Sequence, residues 1–124
     1  MPESTQGLFA LTPNNRKGRA MKAYLIDANR KTVSPVELAD GLAGIRRLIG
    51  YDSVDSEEID ASGDRLFFDE GCFLRDQTGK GRFKLDSLVP VADKAVVAGS
   101  GDDGATLKDV AVDLAVLQQR IAWL

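Results

Sequence analysis

The sequence predicts an α+β domain over residues 21–124, in which a mostly antiparallel, meander-like sheet carries one main amphipathic helix on one face. Three observations lead there. Short apolar or alternating runs recur between clusters of Gly, Asp, Asn and Pro, the punctuation of strands and hairpin turns. The clearest helical periodicity is confined to one stretch, residues 41–49. The chain has 124 residues, 44% of them hydrophobic and 28% charged, which is the composition of one globular domain with a small core.

Residues 1–20, with two prolines, two glycines and no sustained period, are expected to form a flexible N-terminal extension. LFAL at 8–11 is its one sticky element, too short to be a helix alone. Met21 opens the domain. KAYLID (22–27) predicts a strand buried on both faces, because Tyr24, Leu25 and Ile26 are consecutive and apolar. TVSPVEL (32–38) follows as a second strand, and Pro35, which cannot donate to a ladder, places it at an edge or a bulge. In the helix over 41–49, Leu42, Ile45, Leu48 and Ile49 share a face opposite Arg46 and Arg47. Asp40 is its expected cap and Gly50 its stop.

The centre reads as a meander. SVDSEEID (53–60) and RLFFDEG (65–71) flank the turn Ala61-Ser62-Gly63-Asp64. RFKLDSL (82–88) alternates, and KAVVAG (94–99) is the most apolar strand. LKDVAVDL (107–114) alternates through Val110, Val112 and Leu114 and predicts a returning strand. AVLQQRIAWL fits a helical turn capped by Asp113 or a last extended IAWL, of which the helical turn is favoured. Trp123 is assigned to the core or to a dimer contact.

Composition removes several chemistries. One cysteine and no histidine leave no intramolecular disulfide, no CxxC or zinc constellation, and no Ser-His or Cys-His pair. Cys72, among Phe67, Phe68, Phe73 and Leu74, reads as a buried inert thiol. No run of about eighteen apolar residues is present and no secretory signal opens the chain, so no membrane is expected and the default compartment is the cytoplasm.

The net charge of −3 conceals an asymmetry. Residues 1–31 hold six cations against two anions, and residues 52–70 hold eight anions against Arg65 alone. Arg16, Lys17 and Arg19 lack aromatic interleaving, so direct nucleic-acid binding is not expected. The acidic segment, with Asp55, Glu57, Glu58 and Asp60 as its candidate binding residues, suits a protein partner, or a basic cleft that it enters in place of nucleic acid.

VVAGSGDDGATLKDV (96–110) raises the one question of a glycine loop. A phosphate loop needs a helix after it, whereas here a strand pattern follows. The calcium template needs a Glu that this stretch lacks. A hairpin turn is therefore expected, with Asp102 and Asp103 kept as the candidate cation ligands. Asp69 and Glu70 are adjacent, point to opposite faces of a strand and do not make paired carboxylates; placed in the turn before Gly71, they are expected to be solvated.

MKAYLID, the proline-marked second strand, the helix ending in LIG, the acidic hairpin, LFFDEG and KAVVAGSGDDG with its valine-alternating strand together resemble a family of short proteins. That family is a domain of unknown function found in bacterial, archaeal and phage genomes. The resemblance covers residues 21–124 and transfers no functional residue, since the family has no assigned activity. It implies an accessory gene of a phage or mobile element. The function expected is that of a small non-enzymatic binding module for a protein partner, with no catalytic residues and no cofactor. The competing expectation is a divalent-metal or small-ligand binder or enzyme using Asp69, Glu70, Asp102 and Asp103.

Overall fold

The computed structural model describes residues 20–71, 79–101 and 106–124. The expected extension (all but Ala20), Cys72, Phe73, Leu74, Asp102 and Asp103 lie outside these residues. Chain order is β1 (Met21–Asp27), β2 (Thr32–Leu38), α1 (Leu42–Ile49), β3 (Val54–Glu58), β4 (Asp64–Asp69), β5 (Arg82–Leu85), β6 (Val91–Ala92), β7 (Lys94–Ser100), β8 (Leu107–Lys108), α2 (Leu114–Arg120) and β9 (Ile121–Trp123). The larger sheet runs β2-β1-β7-β4-β3, with β8 against the end of β7, and a smaller one runs β9-β5-β6. Every pairing is antiparallel.

The pleat of β7 shows how one strand serves two cores. Val96 and Ala98 face α1, where Ile45, Ile49, Leu38, Ala23 and Phe67 join them. Ala95 and Val97 face the other way, toward Phe83, Leu85, Val91 and Leu117, with Ile26, Leu66 and Phe68 from the neighbouring strands. β1 behaves alike, Ala23 and Leu25 on the α1 side and Tyr24 and Ile26 on the other, as its unbroken apolar run predicts. The large sheet is thus a middle layer. α1 covers one face, as expected, and the small sheet with α2 covers the other, which periodicity did not foretell. Trp123 is half-buried and lies edge-on to Phe83, ring centroids 6.3 Å apart, so it packs against the core, the first of its two expected placements.

Several local expectations are met and several change. Pro35 lies in the edge strand β2 opposite Tyr24, and Gly50 stops α1 in the left-handed region at φ 92°, its N–H reaching the carbonyl of Arg46. Asp40, however, does not cap α1. Gly41 occupies that position without a side-chain bond, and the Asp40 carboxylate accepts from Arg47 at 2.9 Å instead. Both Asp40 (φ 67°) and Gly41 (φ 56°) are left-handed, which turns the carboxylate away from the helix start.

The returning strand 107–114 is shorter than its alternation suggests. Pairing ends at Lys108, because the N–H groups of Ala111 and Val112 are taken by the Asp64 carboxylate rather than by a neighbouring strand. The C-terminus takes both forms left open, a helix from Leu114 to Arg120 and then β9. Sequential neighbours pair within the hairpins β1–β2 and β3–β4, while β7 enters between β1 and β4 and completes the sheet.

Candidate functional site

The acidic hairpin β3–β4 is built outward from its turn. Ile59 donates to the carbonyl of Asp64, which makes Glu57 and Asp55 inward, hydrogen-bonded positions and leaves the main chain of Val54, Ser56 and Glu58 facing outward. β3 ends the sheet on this side. At the middle of that edge both outward groups of Ser56 are occupied. Its N–H goes to Oδ1 of Asp55 at 2.8 Å, and its carbonyl accepts from Arg65 at 3.2 Å, whose Nε also reaches Ser56 Oγ. Arg65, the one cation of the segment, is therefore spent on Ser56 and forms no ion pair among the described residues.

The four candidate binding residues do not share one role. Asp55 and Glu58 are exposed and Glu57 half-buried, and none of the three pairs with a cation among the described residues. Asp52 and Glu70, at the open end of the same hairpin, are likewise exposed and without an ion pair there. Asp60 differs. It accepts from Ser62 at 2.8 Å and from Arg120 at 3.0 Å; these bonds, those from Ser62 foremost, hold its carboxyl below the ordinary value. Arg120 also grips Asp86 and the carbonyl of Ile59, so Asp60 is a strut between the hairpin and the α2–β9 junction.

Asp69 is buried, 2% exposed, and accepts from the N–H of Gly71, which corrects its expected solvation; Glu70 is exposed, as expected. Asp69 stands at the end of β4 reached by Val54. Gly101 and Thr106, which flank residues 102–105 and bond to each other at 2.7 Å, follow the opposite end of β7, where Gly99 faces Asp64. The described parts of the four-carboxylate arrangement therefore point to no common centre. No three ligating side chains gather among the described residues. β7 and β8 pair antiparallel, in keeping with the expected hairpin.

Two buried aspartates escaped the sequence reading. Asp64, taken for a turn residue, is 1% exposed and binds the N–H groups of Ala111 and Val112 at 2.9 Å each. Asp93, between β6 and β7, has φ 72° and gathers Asn29 (2.6 Å), Lys80 (3.1 Å) and the more distant Tyr51 hydroxyl (3.4 Å). Burial pushes its carboxyl up, but hydrogen bonds from Lys80 and Asn29 and the charges of Lys80 and Lys94 outweigh that and hold it below the ordinary value. The one available signal was an Asp directly before the most apolar strand, where a charge survives only with partners.

A groove of about 600 Å³ runs between β1–β2 and residues 110–114, lined by Tyr24, Pro35, Val36, Val112, Leu114 and their neighbours. The Tyr24 hydroxyl donates to the carbonyl of Val112 across it at 2.8 Å. Burial, then the charges of Asp113 and Asp64, raise the phenol above its ordinary value, so it stays a donor at neutral pH. No helix among the described residues is long and apolar enough to cross a membrane. No family model, curated protein or solved structure matches the chain.

Proposed function

We propose that the domain is a small non-enzymatic binding module that recognises a basic surface on a protein partner through the acidic hairpin β3–β4. The observation that carries this reading is the uncompensated charge of the hairpin. Asp52, Asp55, Glu57, Glu58 and Glu70 form no ion pair among the described residues, while Arg65 is turned to Ser56. Several other carboxylates are matched, Asp40 by Arg47, Asp93 by Lys80, and Asp60 and Asp86 by Arg120. Those outside the hairpin that form no ion pair among the described residues, Glu37, Asp109 and Asp113, do not follow one another along a single strand edge. Unmatched like charge along one edge raises the local potential and attracts a basic partner.

Both faces of the large sheet are covered from within the chain, so a partner meets the edge. At the middle of that edge it meets side chains rather than free main-chain groups, because the Ser56 main chain is already bonded. The test is a tagged pull-down from nuclease-treated lysate of the source cells at low and high salt. Its control is the variant Asp55→Asn/Glu57→Gln/Glu58→Gln, which leaves the Asp60 strut intact. A protein recovered at low salt, lost at high salt and lost with the variant supports the reading. Equal recovery by both baits, or none, overturns it.

A further inference from the structure

We propose that residues 109–113 form a strap that opens as a unit while both cores stay folded, with the Asp64 carboxylate as its latch. The strap follows the two ladder pairs Ser100↔Leu107 and Gly99↔Lys108, and precedes α2, which Leu117 anchors at 0% exposure. Between these fixed ends no strand pairs with it.

Its holds are discrete polar contacts, most of them made by side chains. Asp109 takes the N–H of Lys22, Val110 donates to the carbonyl of Lys22, Asp64 takes the N–H groups of Ala111 and Val112, and Tyr24 donates to Val112. Apolar burial along it is partial: Val110 and Val112 pack against the core beneath the small sheet but stay half-buried, while Ala111 and Asp113 are exposed. A segment with no fully buried side chain of its own, no ladder and side-chain-borne hydrogen bonds belongs to the low-stability end of a structure.

The strap is also one wall of the 600 Å³ groove. Lifting it widens the groove and brings to the surface two carboxylate acceptors and a phenol donor, set to hold two adjacent N–H groups and a carbonyl. Asp64 is the latch because its carboxylate supplies two charge-assisted bonds from beneath. An amide in its place presents an N–H₂ to one of the two N–H groups, and one bond is lost.

Residue-resolved amide hydrogen exchange on the full chain tests this. In the wild type, Val110, Ala111 and Val112 should exchange together and faster than Val96 and Val97 of β7. Asp64→Asn should speed the three strap amides by about 10- to 150-fold, the loss of one bond to a charged group, with β7 unchanged. Tyr24→Phe, which keeps the carboxylate, should speed the same amides by a smaller factor and decides the matter if the Asp64→Asn chain does not fold. Strap amides that exchange at the β7 rate in the wild type overturn the proposal. So does a variant that accelerates strap and β7 equally, or a Tyr24→Phe chain whose strap amides are unmoved.

Discussion

Asp93 shows what a single carboxylate can hold together. It joins the β1–β2 turn through Asn29, the segment after α1 through Tyr51 and the approach to β5 through Lys80, while its main chain bonds Ala28 and Gly81. Removing the carboxylate strands donors that were hydrogen-bonded, so Asp93→Ala should cost about 1–3 kcal/mol in urea unfolding at neutral pH. Because the folded carboxyl lies below its ordinary value, the stabilisation is complete above the unfolded pKa near ~4 and disappears as pH falls through the folded one. The wild type should therefore lose its advantage over Asp93→Asn between neutral and strongly acidic pH. A constant difference across that range would show that the charge is not what matters. Lys80 has the opposite sense: Asp93 raises its pKa, so that contribution fades only as pH rises past the ordinary lysine value.

Elements were legible where periodicity alone decides and illegible where a remote side chain intervenes. β1, β2, the β3–β4 hairpin and β7 follow from apolar runs between turn residues, and α1 follows from its 3.6-residue repeat. The stretch 107–114 alternates like a strand, yet Asp64, more than forty residues earlier, takes its N–H groups, and no local pattern records that. Gly44 in α1 gives a test of sign. An alanine in mid-helix ordinarily gains up to about 1 kcal/mol over glycine. Here its Cβ would run into the carbonyl oxygen of Ala39, so Gly44→Ala should lower stability by about 1–3 kcal/mol, read as a fall in thermal midpoint; a rise would mean that the Ala39 backbone yields freely. In α2, Leu117→Ala should cost about 2–5 kcal/mol, since that side chain is fully enclosed by the core beneath the small sheet.

At the scale of the molecule, the acidic hairpin was visible as composition, but not its partition into Asp60, spent on Arg120, and the carboxylates left unmatched; that division depends on α2, sixty residues away. Both ends of the large sheet are guarded, one by Pro35 in β2 and the other by the self-bonded Ser56, which are devices that oppose edge-to-edge association. The pair Asp55→Ala/Arg65→Ala frees the Ser56 main chain without altering net charge. It should aggregate faster than the wild type on warming, followed by light scattering, and equal rates would show that the edge is protected in another way. β7 has a further consequence, for the order in which the chain is made. Both flanking hairpins leave the ribosome complete, each with an inner edge still open, seconds before the seven residues from Lys94 that lie between them. A message cut short before that codon yields two ribbons held together by α1 alone, each with an unpaired edge, the kind of surface that makes an unfinished chain prone to aggregate.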